Sequence, residues 1–594
     1  MKTKIRYLNG SRLFHAFVAG GNAVIRDHSY LNKINVFPVP DADTGTNLAS
    51  TMRAIAQGAR AHLSIRETLR SMANAALSGA QGNSGIIFAQ FLHGMSREVE
   101  SEYRLTTKTF AESVRRAVAH ARRAIAVPVE GTMITVIRDW AESLYQRRQT
   151  TADFAELMSE SIVDARQSLR DTPKKLDVLA RAGVVDAGAK GFVDFLEGIL
   201  HFIKKGKLAR VPAEEIIWSP EEMKTPPREK SLHHRFCAEA LLTGAVVDVE
   251  RVRCIVSRYG DSAVVAGSDE RVRLHVHTND PAGLFFEIKD AGAIAQIKVD
   301  DMKKQYEAAW LPKSKTAFVI DSTCDLPPDW IDERQIHVIP YLVTLGGQVF
   351  LDRVTLTPDQ CYAFLEKGKI LPKTSQPTLK NVQNVLSYLA GHYESVIVLT
   401  LSDKLSGTYR TCRTTVAALP GKTISVIDGR NASAGLGLQA ARASEMILAG
   451  RSHEDVVRAL ESWIPKTKLY VDIQTMKYLV RSGRVGRGKG WLGRALNVKP
   501  VITINNEGRI EAAGKSFSRA GNMARIIGRI ETEARKRRVW GYALVHVRNP
   551  ERAATYAEKL TAAFGLPPAY TMDASPALGI HAGIGAIGVA VLYE

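Results

Sequence analysis

Apolar residues recur along this chain with two different periods, and the change between them divides it. Over residues 1–205 the spacing is helical. Phe110, Val114, Val118, Ala121 and Ile125 follow at intervals of four, four, three and four, which lays one apolar stripe along one face of a helix. Thr150 with Asp153 reads as a helix start before the next amphipathic run. Glycines are expected at the joints between helices, not inside them. This pattern predicts an all-helical bundle or barrel with functional loops at one end. Over residues 315–594 short β-branched runs, at 317–321, 396–401 and 423–428, alternate with helical runs such as 452–463. That alternation predicts α/β layers around a mostly parallel sheet. Between the two lie a small domain at 231–309 and a linker at 206–230, where Pro212, Pro220, Pro226 and Pro227 stand among charged residues.

Composition narrows the class. At 594 residues, two to four domains are expected, and 45% hydrophobic with 24% charged residues is ordinary for globular protein. No apolar run is long enough to cross a bilayer, and the first residues lack the apolar stretch and cleavage site of a signal peptide. Five scattered cysteines do not make a disulfide framework, so a reduced, cytoplasmic protein is expected. The net charge of +19 would suit nucleic acid, an anionic membrane surface or an anionic substrate. No zinc finger or aromatic-interleaved basic strand accompanies it, so nucleic acid is not expected as a partner. Arg115, Arg116, Arg122 and Arg123 fall on the polar side of a helix and read as a solvated face.

The candidate chemistry of the first region lies in four loops. The stretch 35–47, NVFPVPDADTGTN, sets Asp41 and Asp43 two residues apart beside a Thr-Gly-Thr-Asn turn. Carboxylates and carboxamides are the hard oxygen ligands of Mg²⁺, which usually arrives with phosphates; alone, the same residues also suit a surface Asx-turn. GAQGNSG, residues 79–85, leads into the apolar run Ile86, Ile87 and Phe88. Small residues there let backbone N–H groups approach phosphate oxygens at a helix start. PVEGTM (128–133) and AGVVDAGAKG (182–191) serve either as further binding loops or as helix caps and turns.

These four motifs, in this order, resemble the kinase domain of bacterial fatty acid kinase, itself similar to the nucleotide-binding subunit of dihydroxyacetone kinase. The resemblance implies an eight-helix barrel holding ATP and two Mg²⁺ ions at one rim. Asn35, Asp41 and Asp43 would hold the metal, and the two aspartates would serve catalysis. Thr44, Gly45, Thr46 and Asn47, with Asn83 and Ser84, would cradle the phosphates. Thr132, Met133, Asp186 and Gly188 would shape the nucleotide pocket. Asn35 stands where dihydroxyacetone kinases usually carry Asp, which favours the acyl kinase. Ala42 replaces a usual Gly, and Gln81 a common Arg. A fatty carboxylate is already anionic, so no general base is needed, in keeping with the lack of a His/Asp pair among these motifs.

In the middle region, FCAE (236–239) and RLHVHTND (273–280) carry a second pattern. On a strand, His275 and His277 point to one face and Leu274 and Val276 to the other. With Cys237 they make either a three-ligand Zn²⁺ site or an ordinary hydrogen-bonded pair beside a buried thiol. The segment resembles the middle domain of fatty acid kinase, which implies zinc at these residues.

The last region has no dinucleotide-type glycine fingerprint after its strands. Hydroxyl-rich turns stand there instead: DSTCD (321–325), TSQP (374–377) and LSGTY (405–409). Turns at the carboxyl ends of strands in an open α/β sheet are where ligands bind, and hydroxyls suit a carboxylate. Ser406 lacks the glycine elbow of a hydrolase nucleophile. VIDSTCDLP, TSQPT, LSGTY, YLVRSGRVG and NVKPVITINNEGRI resemble the DegV family of fatty-acid-binding proteins. That resemblance implies two α/β lobes around one fatty acid, with Thr374, Ser406, Gly407 and His581 at the carboxylate. Arg481, Arg484 and Arg487 would lie on a kinase-facing surface.

The expected protein is thus a multidomain fusion: an all-α barrel, a small α+β middle domain and a two-lobed α/β lipid-binding domain. Its expected reaction is ATP plus bound fatty acid giving ADP plus acyl phosphate. A lipid carrier or sensor with a regulatory kinase half, and a kinase of the dihydroxyacetone type, are the alternatives. A homodimer, and contact with an anionic membrane or an acidic acyl carrier, are left open.

Overall fold

The described residues of 4–206 fold mainly as helices, whose starts are set by short polar side chains. Among the described residues these are α1 (Gly10–Arg26), α2 (His28–Lys33), α3 (Thr44–Gly58), α4 (Ile65–Gly79), α5 (Gly82–Glu98), α6 (Thr107–Ala124), α7 (Met133–Arg147), α8 (Phe154–Arg170), α9 (Thr172–Lys175), α10 (Asp177–Ala182) and α11 (Ala187–Lys205). Asn9 caps α1 by accepting from Arg12, Ser64 caps α4 by accepting from Glu67, and Thr106 with Thr109 forms a capping box on α6. Asp153, not Thr150, caps α8, because its carboxylate accepts the N–H groups of both Ala155 and Ile5. This computed structural model describes residues 4–40, 42–100, 103–206, 233–368, 372–484, 499–516 and 518–594. It divides into two compact units, Met1–Gln305 and Tyr306–Glu594.

Each long helix of the first unit packs on the next, in the order α1, α3, α4, α5, α6, α7, α8, α11, and α11 returns to α1. The stripe read from α6 faces this core: Phe110, Val114 and Ala121 are buried, and Val118 and Ile125 pack against them. Phe17, Phe88 and Phe192 surround Phe195 with ring centroids 4.9–6.4 Å away. Glycines do not confine themselves to joints. Gly20 lies inside α1 and Gly198 inside α11, and a Cβ on Gly198 would come within 2.8 Å of the Gly20 Cα. Close crossing of the two helices, not chain reversal, is what these positions require.

The middle region is an antiparallel sheet with two helices: β1 (Phe236–Thr243), α12 (Val249–Tyr259), β2 (Gly260–Ser268), β3 (Arg271–Thr278), α13 (Pro281–Ile288) and β4 (Ala293–Asp301), in the order β2-β3-β1-β4. The ladder sets Cys237 opposite His277 and Asp300, and Glu239 opposite His275 and Lys298. Opposed residues share a face, so one side of the sheet is Cys237, Glu239, Arg273, His275, His277, Lys298 and Asp300. The other side is apolar: Ala238, Ala240, Leu242, Leu274 and Val276 are fully buried. The polar side faces the helices, since Val264 and Ala266 of β2, opposite His275 and Arg273, join the helical core.

Among the described residues the second unit holds three sheets. One is parallel, with neighbours Thr423–Asp428, Ser395–Thr400, Thr316–Asp321 and His337–Ile339. The six-stranded sheet is mostly antiparallel, with one parallel pair, Val539–His546 and Thr571–Asp573. The expected mostly parallel sheet therefore holds for one lobe only. Strands 499–504 and 510–516 are joined by a short turn, which forces an antiparallel pair. No helix among the described residues is long and apolar enough to cross a membrane.

Candidate functional site

The four loops of the helical region come together at one end of it. Thr44, Gly45, Thr46 and Asn47 open α3, and Asn32 of α2 fixes the turn: its Oδ1 accepts the Thr46 N–H at 3.0 Å and its Nδ2 donates to the Thr46 Oγ1 at 2.9 Å. Asn47 is buried, and beside it runs Gly82, whose φ of +62° and whose closeness to Asn47 Nδ2 (2.6 Å from a built Cβ) exclude a side chain. Ser84 meets Gly188 on the far side. Asp186, 6% exposed, caps α11 by accepting the Ala189 N–H at 2.7 Å, and also accepts the Met133 N–H. Thr132 precedes α7 and donates its hydroxyl to the Val129 carbonyl. Burial raises the Asp186 carboxyl to about 6.

Asn35 is 2% exposed and Asp43 precedes α3, while Asp41 lies outside the described residues. Ala42 between the two aspartates holds φ +55°, so the turn takes a left-handed residue there. Among the described residues the buried Oδ1 of Asn83 has no hydrogen-bond partner, which fits a loop open to a donor or cation. With the carboxylate of Asp43 and the carboxamide of Asn35, the donor set is one of hard oxygens suited to Mg²⁺.

The polar face of the middle sheet closes over this end. The Glu239 carboxylate accepts the Gly82 N–H at 2.6 Å, so an anionic oxygen already sits on the first amide of α5. Its other oxygen pairs with Arg273 at 3.0 Å, and His275 Nδ1 lies 3.2 Å away. Burial works to raise the Glu239 carboxyl, but His275, Lys298 and Arg273 hold it well below the usual range. Cys237, His275 and His277 place one ligand atom each within 4.8 Å of one another, all buried. Burial, then the His275 and His234 charges, takes His277 down to about 3, and burial with nearby carboxylates pushes the Cys237 thiol up. His277 is therefore neutral and ready as a ligand. His275 has Nδ1 beside Glu239 and a buried Nε2 without a partner among the described residues, so the group fits a metal of the zinc type. The sequence reading missed Glu239 and Lys298, although alternation along β1 places Glu239 beside Cys237.

In the second unit a cavity of about 670 Å³ opens at the carboxyl ends of the parallel strands. Thr323, Leu401, Ser406, Gly407 and Ser433, from the turns after three of those strands, line it. Leu469, Val471, Ile502 and Val545 of the six-stranded sheet supply an apolar wall. The expected head-group residues gather here. Thr374 Oγ1 lies 2.8 Å from His581 Nε2, the Tyr341 hydroxyl donates to Ser406 at 2.7 Å, and Gly407 starts the helix Thr408–Ala417. Burial, then the Arg484 charge, lowers His581 to about 4. Arg484 lines the same cavity, Arg481 ends the helix Lys477–Arg481, and Arg487 lies outside the described residues, as does the linker beyond Gly206. Tyr341 carried no motif signal.

A glycine-lined end of a helical region with a metal-type triad beside it, and a cavity at the strand ends of the second unit, give each unit its own candidate site. Family models agree: a DAK2 domain matches residues 38–201, the FakA-like middle domain of fatty acid kinase residues 233–309, and the DegV family residues 315–594. The chain therefore joins a DAK2 domain, a FakA-like middle domain and a DegV domain, and the first two are of the kinase type. Uncharacterized proteins of Staphylococcus aureus strains COL and Mu50 are 32% identical over 323 residues, 53% of this chain. The chain spans 59% of the length of these relatives. Among solved structures, a fatty-acid-binding DegV family protein of Thermus thermophilus is 29% identical, covering 47% of this chain and 99% of its own, with a TM-score of 0.44. The Bacillus subtilis fatty-acid-binding protein DegV is 27% identical, covering 47% and 100%, with a TM-score of 0.44.

Proposed function

We propose that this protein is a fatty acid kinase that phosphorylates the carboxylate of a fatty acid held by its own DegV domain. The observation that carries the reading is the gathering of Asn47, Gly82, Ser84, Asp186 and Gly188 at one end of the all-helical region. One carboxylate oxygen attacks the terminal phosphorus of ATP; the bond to the bridging oxygen breaks, and ADP and an acyl phosphate leave. No proton moves, so no general base is needed.

Asn35, Asp41 and Asp43 would hold Mg²⁺, which when bound neutralises phosphate charge. The backbone of Thr44–Asn47 with Asn83 and Ser84 orients the phosphates, and Thr132, Met133, Asp186 and Gly188 shape the nucleotide pocket. Cys237, His275 and His277 would hold a zinc ion, which when bound would tie β1 to β3. Thr374, Ser406, Gly407 and His581 orient the fatty carboxylate, with neutral His581 acting through Nε2. Fusion raises the effective concentration of one half at the other.

Purified protein with ATP, Mg²⁺ and oleate is expected to yield acyl hydroxamate when hydroxylamine traps the product. Retained oleate without hydroxamate would leave a lipid carrier. A D41A/D43A variant is expected to keep lipid and stop releasing ADP.

A further inference from the structure

The four loops at the nucleotide end carry a single basic residue, Lys190, and its ammonium is held by the Asp194 carboxylate. Asp43 and Glu239 bring carboxylates to these loops, yet phosphoryl transfer gathers negative charge that a positioned cation stabilises. Among the described residues three cations stand on the polar face of the middle sheet, and one of them, Arg271, is engaged by the Ser78 Oγ of α4 at 3.0 Å. Arg273 is 5% exposed on its side chain and bound to Glu239 and Gln296, so it is locked behind the loop. Lys298 is different. Its side chain is 27% exposed, and its Nζ lies 2.6 Å from Asp300 on a flexible four-carbon stem.

We propose that Lys298 is a phosphate-binding residue of the nucleotide site, supplied by β4 of the middle sheet to loops it does not belong to. This rests on the kinase reading. Lys298 stands directly across the β1–β4 ladder from Glu239, and Glu239 grips Gly82 of the glycine loop. The sheet and the loop are thus tied at the residue paired with Lys298 across the ladder. The field of the Asp43 carboxylate, which would hold the metal, also reaches Lys298. Burial opposes the charged amine, but Asp300 and Glu239, with Cys237 and Asp43, keep it protonated. Asp300 is its partner at rest; on phosphate binding the ammonium exchanges Asp300 for a terminal phosphate oxygen. The middle domain then has a part in the chemistry beyond joining two larger domains.

The test is binding of the magnesium complexes of adenylyl imidodiphosphate and of ADP to the full chain, measured by calorimetry. K298Q is expected to bind the triphosphate analogue about tenfold more weakly, with a smaller change for ADP, and K298R to restore most of the loss. D300N, which frees Lys298, is expected to bind the analogue at least as tightly as the wild type. Equal affinity in K298Q and wild type would overturn the inference and leave the kinase reading standing. A D300N loss matching that of K298Q would also overturn it, since the ion pair would then act only through structure. Wild-type protein that binds neither nucleotide would overturn both readings together.

Discussion

A methyl group cannot fit between Gly188 and Ser84: a Cβ built on Gly188 would lie 2.4 Å from the Ser84 Oγ. The first turn of α11 and the glycine loop before α5 touch through this gap. Gly188→Ala favours the helix by propensity, so the fold should survive. Ser84 must then move, and nucleotide affinity should fall by about tenfold or more, as when a positioned donor is lost. Nucleotide titration beside a thermal melt checks this; an unchanged affinity would remove Ser84 from the phosphate site.

Glu239 joins three partners, so its two obvious variants should differ. Glu239→Ala leaves the Arg273 guanidinium buried without its carboxylate and should cost about 3–5 kcal/mol. Glu239→Gln keeps an acceptor for the Gly82 N–H and should cost about 2 kcal/mol. Unfolding in denaturant, followed on the transition of the first unit, orders the two. Equal losses would show that the acceptor retained by glutamine has no weight and that the lost charge carries the whole effect.

The buried triad should be visible in metal content. Wild-type protein is expected to carry about one zinc per chain, and Cys237→Ser or His277→Ala to carry well below half of that. Chelation should lower the melting temperature of the wild type and leave that of the variants unchanged. Elemental analysis after extensive dialysis decides it, and equal zinc in Cys237→Ser would refute the assignment.

His581 gives the second unit a pH dependence of known sign. Its folded value, about 4, lies below the ordinary 6.5. The unfolded chain therefore takes up the proton first as pH falls. The stability contributed by neutral His581 is complete above about 6.5 and is lost toward 4; a shift of this size is worth at most about 3 kcal/mol. His581→Asn should flatten that slope, and melts between pH 7 and 4.5 measure it. An identical slope in the variant would place the acid sensitivity elsewhere.

What could be read before the structure was whatever depends on neighbours in sequence. Alternation alone put His275 and His277 on one face, and the turns after the parallel strands pointed to the cavity mouth. The partners of these residues were not legible. Glu239 is 157 positions from Gly82, and its hydrogen bond exists only because the polar side of the sheet is turned to the helices. Strand direction in the six-stranded sheet was equally hidden, since a two-residue period marks a strand without saying which way its neighbour runs. Gly20 and Gly198 were misplaced because a helix crossing leaves no local mark. Tyr341 reaches Ser406 across 65 positions with no motif around it.

The two-sided middle sheet also limits how this chain can change over evolutionary time. Substitutions along its strands are absorbed one at a time, but insertion or deletion of a single codon in β1 is not. Such a frame-preserving lesion would rotate Cys237 and Glu239 into the greasy layer and deliver alanines to the helices. Length drift in homologous genes should accordingly collect in the connections between these strands and spare the strands themselves.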